Sequence, residues 1–174
     1  MRRLFLCMIL VSWYTLLKAQ YEGMEYYQEQ DPAVKVKLEQ WQDLKFGFFV
    51  HWGPYSQKGY CESWTICTED VDWIQRDTII SYDEYYRNYV NLKKTFNPVK
   101  FNPEYWADLA KEAGMKYFVF TTKHHDGFCM WDTKETDYKI TSSECPYHTV
   151  PNPDILKELF GAFQKRDFMI GAYF

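Results

Sequence analysis

The order of apolar and polar positions predicts that helices alternate with buried strands along much of the chain. An apolar run at 46–50 ends in a turn at 51–54, and similar runs occupy 117–122 and 168–174. A segment with apolar residues at helical spacing precedes each of the two later runs. Strands that are apolar at nearly every position are typical of a parallel sheet covered by helices. The pattern therefore predicts an α/β fold.

Capping signals predict where three helices begin, whereas residues 20–40 are mostly polar and predict only a lead-in segment. A capping box, Ser81 to Glu84, opens the first helix; its inward face would be Tyr82, Tyr85, Tyr86, Tyr89 and Val90. Asn102-Pro103-Glu104 opens the second, which Gly114 ends; its buried side would be Trp106, Leu109, Ala110 and Ala113. Asn152-Pro153-Asp154 opens the third, with Ile155, Leu156, Leu159, Phe160 and Phe163 inward.

Polar ring side chains follow each predicted strand where it ends. His51 follows the first apolar run, His124 and His125 follow the second, and Tyr173 lies at the end of the third. A single histidine at a strand end is usually structural, but three of the chain's four histidines are placed this way. The carboxyl ends of parallel strands share one edge of a sheet, where α/β folds bind ligands. Imidazole and phenol groups supply hydrogen-bond donors and acceptors in fixed directions, which suits a polar pocket.

The first 19 residues have the layout of a secretory signal. Arg2 and Arg3 precede an apolar run at 4–17, and Ala19 is a suitable last residue before cleavage. The run is short for a membrane span, which needs about 20 residues, although an uncleaved anchor is an alternative. We expect a secreted, periplasmic or lysosomal protein with no membrane span after cleavage.

Charge and aromatic content narrow the class of ligand. Loss of residues 1–19 removes three positive charges and takes the formal net charge from −4 to −7. An acidic chain without a basic cluster argues against nucleic acid as a partner. Aromatic residues make up 20% of the chain, and their rings can stack on sugars, although most aromatic side chains fill cores.

Four cysteines follow the predicted signal: Cys61, Cys67, Cys129 and Cys145. In an oxidising compartment they can pair in three ways, and the sequence does not choose among them. Their spacing is too wide for a typical zinc site.

Two blocks of sequence resemble the α-L-fucosidases of glycoside hydrolase family twenty-nine. Residues 44–56 read LKFGFFVHWGPYS, like the first-strand signature of that family, and residues 116–128 read KYFVFTTKHHDGF, like its most recognisable block. The similarity continues through WDTK at 131–134, TDY at 136–138 and GAY at 171–173, and covers residues 41–174.

The resemblance implies a (β/α)8-like (TIM-type) barrel, of which this chain would contain about three βα units in residues 20–174. It implies that fucose hydroxyls are bound by His51, His124, His125 and Tyr173, and that Glu62 and Trp64 form the family's glutamate–tryptophan pair. The family usually has these two residues adjacent, whereas Ser63 separates them here.

The resemblance also implies retaining hydrolysis of terminal α-L-fucosides of a glycan or glycoconjugate, without a cofactor. A carboxylate attacks the anomeric carbon, and a second carboxylic acid protonates the leaving oxygen. In the family both groups lie on later strands, so we expect no catalytic residue within these 174 residues and no activity from them alone. The chain would then be truncated, with its sheet ending in an unpaired apolar edge. Asp126 is expected to orient an imidazole or to cap its turn.

Two other functions fit the same residues. A metal-dependent barrel hydrolase would use His51, His124, His125 and Asp126 as ligands, but adjacent residues of a strand point to opposite faces. A non-catalytic sugar-binding protein would share the pocket and lack the carboxylate pair.

Overall fold

A computed structural model describes residues 29–68, 74, 76 and 79–174 of the chain. The predicted secretory signal, at residues 1–19, lies outside the described residues. The chain divides into two compact units, residues 1–39 and 40–174. In the described residues no helix is both long enough and apolar enough to cross a bilayer.

A three-stranded parallel sheet forms the centre of the second unit. Its strands are β1 (Gly47–Val50), β2 (Tyr117–Thr121) and β3 (Met169–Tyr173), in the spatial order β1-β2-β3. Phe48 of β1 lies opposite Phe118 of β2, which lies opposite Ile170 of β3. The parallel α/β sheet that the apolar runs predict is therefore present, and its strands all end at the same edge.

The described residues contain four α-helices: α1 (Pro32–Leu44), α2 (Tyr82–Val90), α3 (Pro103–Glu112) and α4 (Ile155–Gln164). The predicted caps are present on α2 and α3. The Ser81 hydroxyl accepts a hydrogen bond from the Glu84 amide at 3.3 Å, and the Asn102 side chain accepts one from the Tyr105 amide at 3.0 Å. On α4 the cap is Asp154, whose carboxylate accepts from the Lys157 amide at 2.9 Å, so this helix begins after the predicted Asn152.

The helix α1 is absent from the predicted elements. It occupies 32–44, most of which was predicted to be a polar lead-in, and it has no buried residue. Pro32 stands in its first turn, and the Asp31 carboxylate accepts a hydrogen bond from the Ala33 amide at 2.8 Å. Local capping therefore marks this helix, while an apolar face does not.

The core lies between the sheet and the helices α3 and α4. Phe118 and Phe120 are fully buried, and the ring of Phe118 stacks on that of Phe163 with centroids 3.8 Å apart. Ala107 and Ala110 of α3 and Ile155, Leu159 and Phe163 of α4 complete this layer. An aromatic ring of this size buries enough apolar surface to contribute about 2 to 3 kcal/mol. Packing across the layer thus fixes the strands whose ends carry the polar rings.

Some predicted buried faces are wrong in part. Tyr82 and Tyr86 of α2 are 36% and 42% exposed, because Tyr85 and Tyr89 alone fill the inward side of that helix. On α3, Leu109 is 46% exposed and Ala113 is also exposed; they line an apolar hollow with Phe48 and Trp106.

Candidate active site

Threonine side chains hold the ends of the three strands together. The Thr121 hydroxyl donates to the Val50 carbonyl at 3.1 Å and accepts from the Trp52 amide at 3.2 Å, which links β2 to the end of β1. The Thr122 hydroxyl and amide both donate to the Tyr173 carbonyl, at 2.8 and 2.9 Å. Both threonines are buried, so these bonds are shielded from water. They fix the backbone on which His51, His124 and Tyr173 stand.

Six side chains meet at this edge of the sheet, and we call them the carboxyl-end cluster: His51, Glu62, Trp64, His124, His125 and Tyr173. The ring centroid of His51 lies 6.0 Å from that of His124 and 5.9 Å from that of Tyr173. The ring of Trp64 lies 5.1 Å from that of His125. The predicted site residues therefore occupy one place, although they are spread over 123 positions of the sequence.

Glu62 is the centre of the cluster's hydrogen bonds. Its Oε2 accepts from the indole Nε1 of Trp64 at 3.0 Å and lies 3.0 Å from Nε2 of His124, and its Oε1 lies 3.5 Å from Nε2 of His51. The backbone of Glu62 has φ +52°, a left-handed conformation that residues with a side chain rarely adopt. This turn brings Glu62 and Trp64 together even though Ser63 lies between them. Strain of this kind is concentrated at functional sites.

His124 is the buried member of the pair of histidines. It is 6% exposed, and its Nδ1 is hydrogen-bonded to the hydroxyl of Ser63, which is itself 2% exposed. Burial lowers the pKa of His124, opposed in part by the Glu62 carboxylate. This shift favours the neutral imidazole, whose two ring nitrogens are engaged by Ser63 and Glu62. His125 is exposed, beside a hollow of about 330 Å³ that His124, Gly127 and Tyr173 also line.

Asp126 has a structural role in the turn after the histidines. Its Oδ2 accepts from the hydroxyl of Tyr89 at 2.8 Å, and its Oδ1 accepts from the Phe128 amide at 3.1 Å. Burial raises the pKa of Asp126, although both hydrogen bonds favour the carboxylate. Of the two roles expected for Asp126, the turn cap is the one these hydrogen bonds describe.

One group of potential metal ligands occurs in the described residues, and it differs from the group that the sequence suggests. It consists of His51, Glu62 and His124, whose ligand atoms lie within 4.8 Å of one another. Glu62 is an acceptor only, so Nε2 of His124 must carry the proton that joins them, and Nδ1 is bonded to Ser63. His124 would have to break one of these bonds to bind an ion. The arrangement as it stands fits a hydrogen-bonding pocket better than a metal centre.

The four cysteines of the described residues form no disulfide with one another. Cys129 and Cys145 are buried, and their thiols donate to the carbonyls of Gly127 and Phe96. Cys61 and Cys67 lie on either side of the Glu62 turn.

Ser63, Thr121 and Thr122 are the site residues that the sequence patterns missed. Their role depends on partners 51 to 71 positions away. A signal for the threonines was available, since two polar β-branched residues follow directly on a fully apolar strand.

Comparison with known proteins finds matches over most of this chain. The family described as Alpha-L-fucosidase matches residues 15–174. A putative α-L-fucosidase of Caenorhabditis elegans is 36% identical over 135 residues, which are 76% of this chain and 27% of that protein. The tissue α-L-fucosidase of Bos taurus is 33% identical over 144 residues, covering 78% of this chain and 29% of that protein.

A similar solved structure is the trapped covalent intermediate of an α-L-fucosidase from Bacteroides thetaiotaomicron in complex with 2-fluoro-fucosyl fluoride. It superposes with a TM-score of 0.62 at 33% identity, over 87% of this chain and 32% of that one. The chain thus spans less than a third of the length of these relatives. From the match over residues 15–174 and these identities, the chain belongs to the α-L-fucosidase family.

Proposed function

We propose that this chain is part of a retaining α-L-fucosidase and that the carboxyl-end cluster binds the terminal fucose. The observation that supports the proposal is the meeting of His51, Glu62, Trp64, His124, His125 and Tyr173 at one strand edge. Relatives named α-L-fucosidases, and the covalent intermediate trapped in one of them, support the reaction class. The three strands would be consecutive members of a (β/α)8-like barrel.

The chemistry of the cluster suits a deoxy sugar. The Glu62 carboxylate can accept hydrogen bonds from sugar hydroxyls, while the exposed rings of His51 and His125 can donate or accept. The rings of Trp64 and Tyr173 offer flat apolar faces to the C–H groups and the methyl group of fucose. We therefore propose fucosylated glycans or glycoconjugates as substrates.

The two carboxylic groups that break the bond are proposed to lie outside these residues. Glu62 is held by Trp64 and His124, and Asp126 by Tyr89 and its own turn. Retaining catalysis needs a nucleophile and an acid/base about 5 to 5.5 Å apart. Residues 1–174 would then supply the sugar-binding side and would not hydrolyse fucosides by themselves.

The test uses the intact protein that contains this sequence. We expect release of 4-nitrophenol from 4-nitrophenyl α-L-fucoside and little from the corresponding galactoside. Glu62→Gln removes a charged acceptor, and hydrogen bonds to charged groups are worth about 1.5 to 3 kcal/mol, so we expect kcat/KM to fall about 10- to 100-fold. Glu112→Gln, an exposed acid on α3, is the matched control. Full activity in Glu62→Gln would contradict the proposed site.

The same protein distinguishes the two alternatives. Fucose binding without turnover in the intact protein would indicate a non-catalytic sugar-binding protein. A metal-dependent hydrolase is favoured only by the proximity of His51, Glu62 and His124. Stoichiometric zinc or manganese in elemental analysis, with activity lost to a chelator, would establish it.

The predicted export signal is part of the proposal, because an extracellular or lysosomal glycosidase must leave the cytosol. We expect the secreted protein to begin at Gln20. Amino-terminal sequencing of the mature protein checks this, and a retained Met1 would contradict it.

A further inference from the structure

We infer that Ser63 is a positioning residue: its hydroxyl fixes the tautomer and the orientation of His124, and thereby the Glu62 carboxylate that receives the sugar. The expected effect on fucose binding rests on the proposed function, whereas the positioning of His124 is argued from hydrogen-bond geometry alone. Ser63 lies between Glu62 and Trp64, which are joined by the indole–carboxylate hydrogen bond, and its own hydroxyl contacts His124 of the carboxyl-end cluster.

The backbone explains why Ser63 points inward. With Glu62 in the left-handed region, the side chains of residues 62 and 64 lie close enough for the 3.0 Å indole–carboxylate bond. The Ser63 hydroxyl is directed at Nδ1 of His124, and the residue is 2% exposed. Its carbonyl accepts from the Ile66 amide at 3.1 Å, which begins the short 3₁₀ turn Trp64–Ile66. The serine is thus held against the imidazole of His124, which in turn contacts the Glu62 carboxylate.

When the His124 ring is neutral, the positions of its protons allow one arrangement of hydrogen bonds. The Glu62 carboxylate has no proton to give, so His124 donates to it from Nε2, at 3.0 Å. A neutral imidazole then has a lone pair at Nδ1, and the hydroxyl within reach of that atom is the Ser63 hydroxyl. Ser63 therefore donates to Nδ1 and His124 donates to Glu62. A chain of donors from Ser63 through His124 ends at the carboxylate.

The chain of donors matters because His124 is buried. Without the hydroxyl, Nδ1 would face the interior with no donor, which is costly for a buried polar atom. The ring could then exchange tautomers or rotate, and Nε2 would no longer hold Glu62 in one direction. His51 and His125 flank the same ring, with centroids 6.0 and 4.7 Å away.

The experiment compares four substitutions in the intact protein. Ser63→Ala removes the hydroxyl, while Ser63→Thr and Ser63→Val form a pair of nearly equal volume that differ in the hydroxyl. For Ser63→Ala we expect KM for 4-nitrophenyl α-L-fucoside, and Ki for free fucose, to rise about five- to tenfold, with kcat changed less. Thr should stay several-fold closer to wild type than Val. The exposed Ser143→Ala is the surface control.

A second measurement does not depend on fucose. ¹⁵N NMR of histidine-labelled protein should show His124 as the Nε2–H tautomer in wild type and a mixture of tautomers in Ser63→Ala. Equal kinetics for Thr and Val, together with an unchanged His124 tautomer in Ser63→Ala, would overturn the inference. A wild-type protein that neither binds nor hydrolyses fucosides would overturn the proposed function instead, and the NMR result alone would then decide whether Ser63 controls His124.

Discussion

The aromatic layer under the sheet and the carboxyl-end cluster are built on the same strand but use different physics. Phe118 and Phe120 of β2 are fully buried, and Phe118 stacks on Phe163 of α4; such contacts have little directional requirement. A few residues later, His124 makes two directional hydrogen bonds, one on each ring nitrogen. The comparison shows that one strand can carry apolar packing in its body and a directional hydrogen-bond network at its end. Substitutions should therefore separate the two properties.

The largest effect is expected in the aromatic layer. Phe118→Ala removes a fully buried ring that stacks on Phe163, and such changes cost about 3 to 5 kcal/mol of unfolding free energy. Phe46→Ala, at a side chain that is 50% exposed, is the matched control and should cost no more than about 1 kcal/mol. Urea denaturation of both variants measures this. Similar losses of unfolding free energy in Phe118→Ala and Phe46→Ala would contradict the expectation that the buried aromatic layer contributes more than the surface.

An intermediate effect is expected where the layer meets the cluster. Tyr89→Phe removes the hydroxyl that donates to the partly buried Asp126 carboxylate, and the cost should not exceed the roughly 1 to 3 kcal/mol of an unsatisfied buried group. The pKa of Asp126 should rise further, because one of the bonds that favour its charged form is lost. Tyr86→Phe, on the exposed side of the same helix, is the control. If both variants denature at the same urea concentration, the hydrogen bond to Asp126 does not contribute to stability.

A smaller effect is expected from the protonation of His124. Burial holds its pKa below the ordinary value in the folded state, so below about pH 6.5 the unfolded chain binds this proton more readily than the folded one. Stability from this group is complete above that pH and falls as the pH drops toward the folded-state pKa. Denaturation midpoints measured over this range should fall more steeply in wild type than in His124→Asn. Parallel profiles would show that His124 does not contribute.

The smallest effect is expected on the outer surface of the helices. Arg166 pairs with Glu104 and Asp108 of α3, at 2.6 and 2.7 Å, and its pKa is raised by these hydrogen bonds. Exposed ion pairs contribute little and are screened by salt. Arg166→Gln should shift the denaturation midpoint slightly at low ionic strength and not at all at about 1 M salt. A large shift of the denaturation midpoint that persists at high salt would show that these ion pairs stabilise the fold as much as core contacts do.

The sequence predicted well what depends on apolar runs and local caps, and less well what depends on distant partners. The three strands and the starts of α2 and α3 follow from such patterns, and so does the meeting of the rings at one edge. The predicted buried faces of α2 and α3 were partly wrong, because helical periodicity does not define how many neighbouring positions are buried. The hydrogen bond of Ser63 could not be predicted from local sequence, since its partner lies 61 positions away. The helix α1 was missed because it buries nothing.

The left-handed backbone at Glu62 sets backbone strain against the hydrogen bonds of the Glu62 carboxylate. Glycine or asparagine adopts that conformation at lower cost, so either one at position 62 would relax the loop. The relaxed protein would lack the acid on which Trp64 and His124 converge, and the buried His124 would lose the acceptor of its Nε2. A substitution that relieves this turn therefore exchanges backbone strain for a buried nitrogen without a partner.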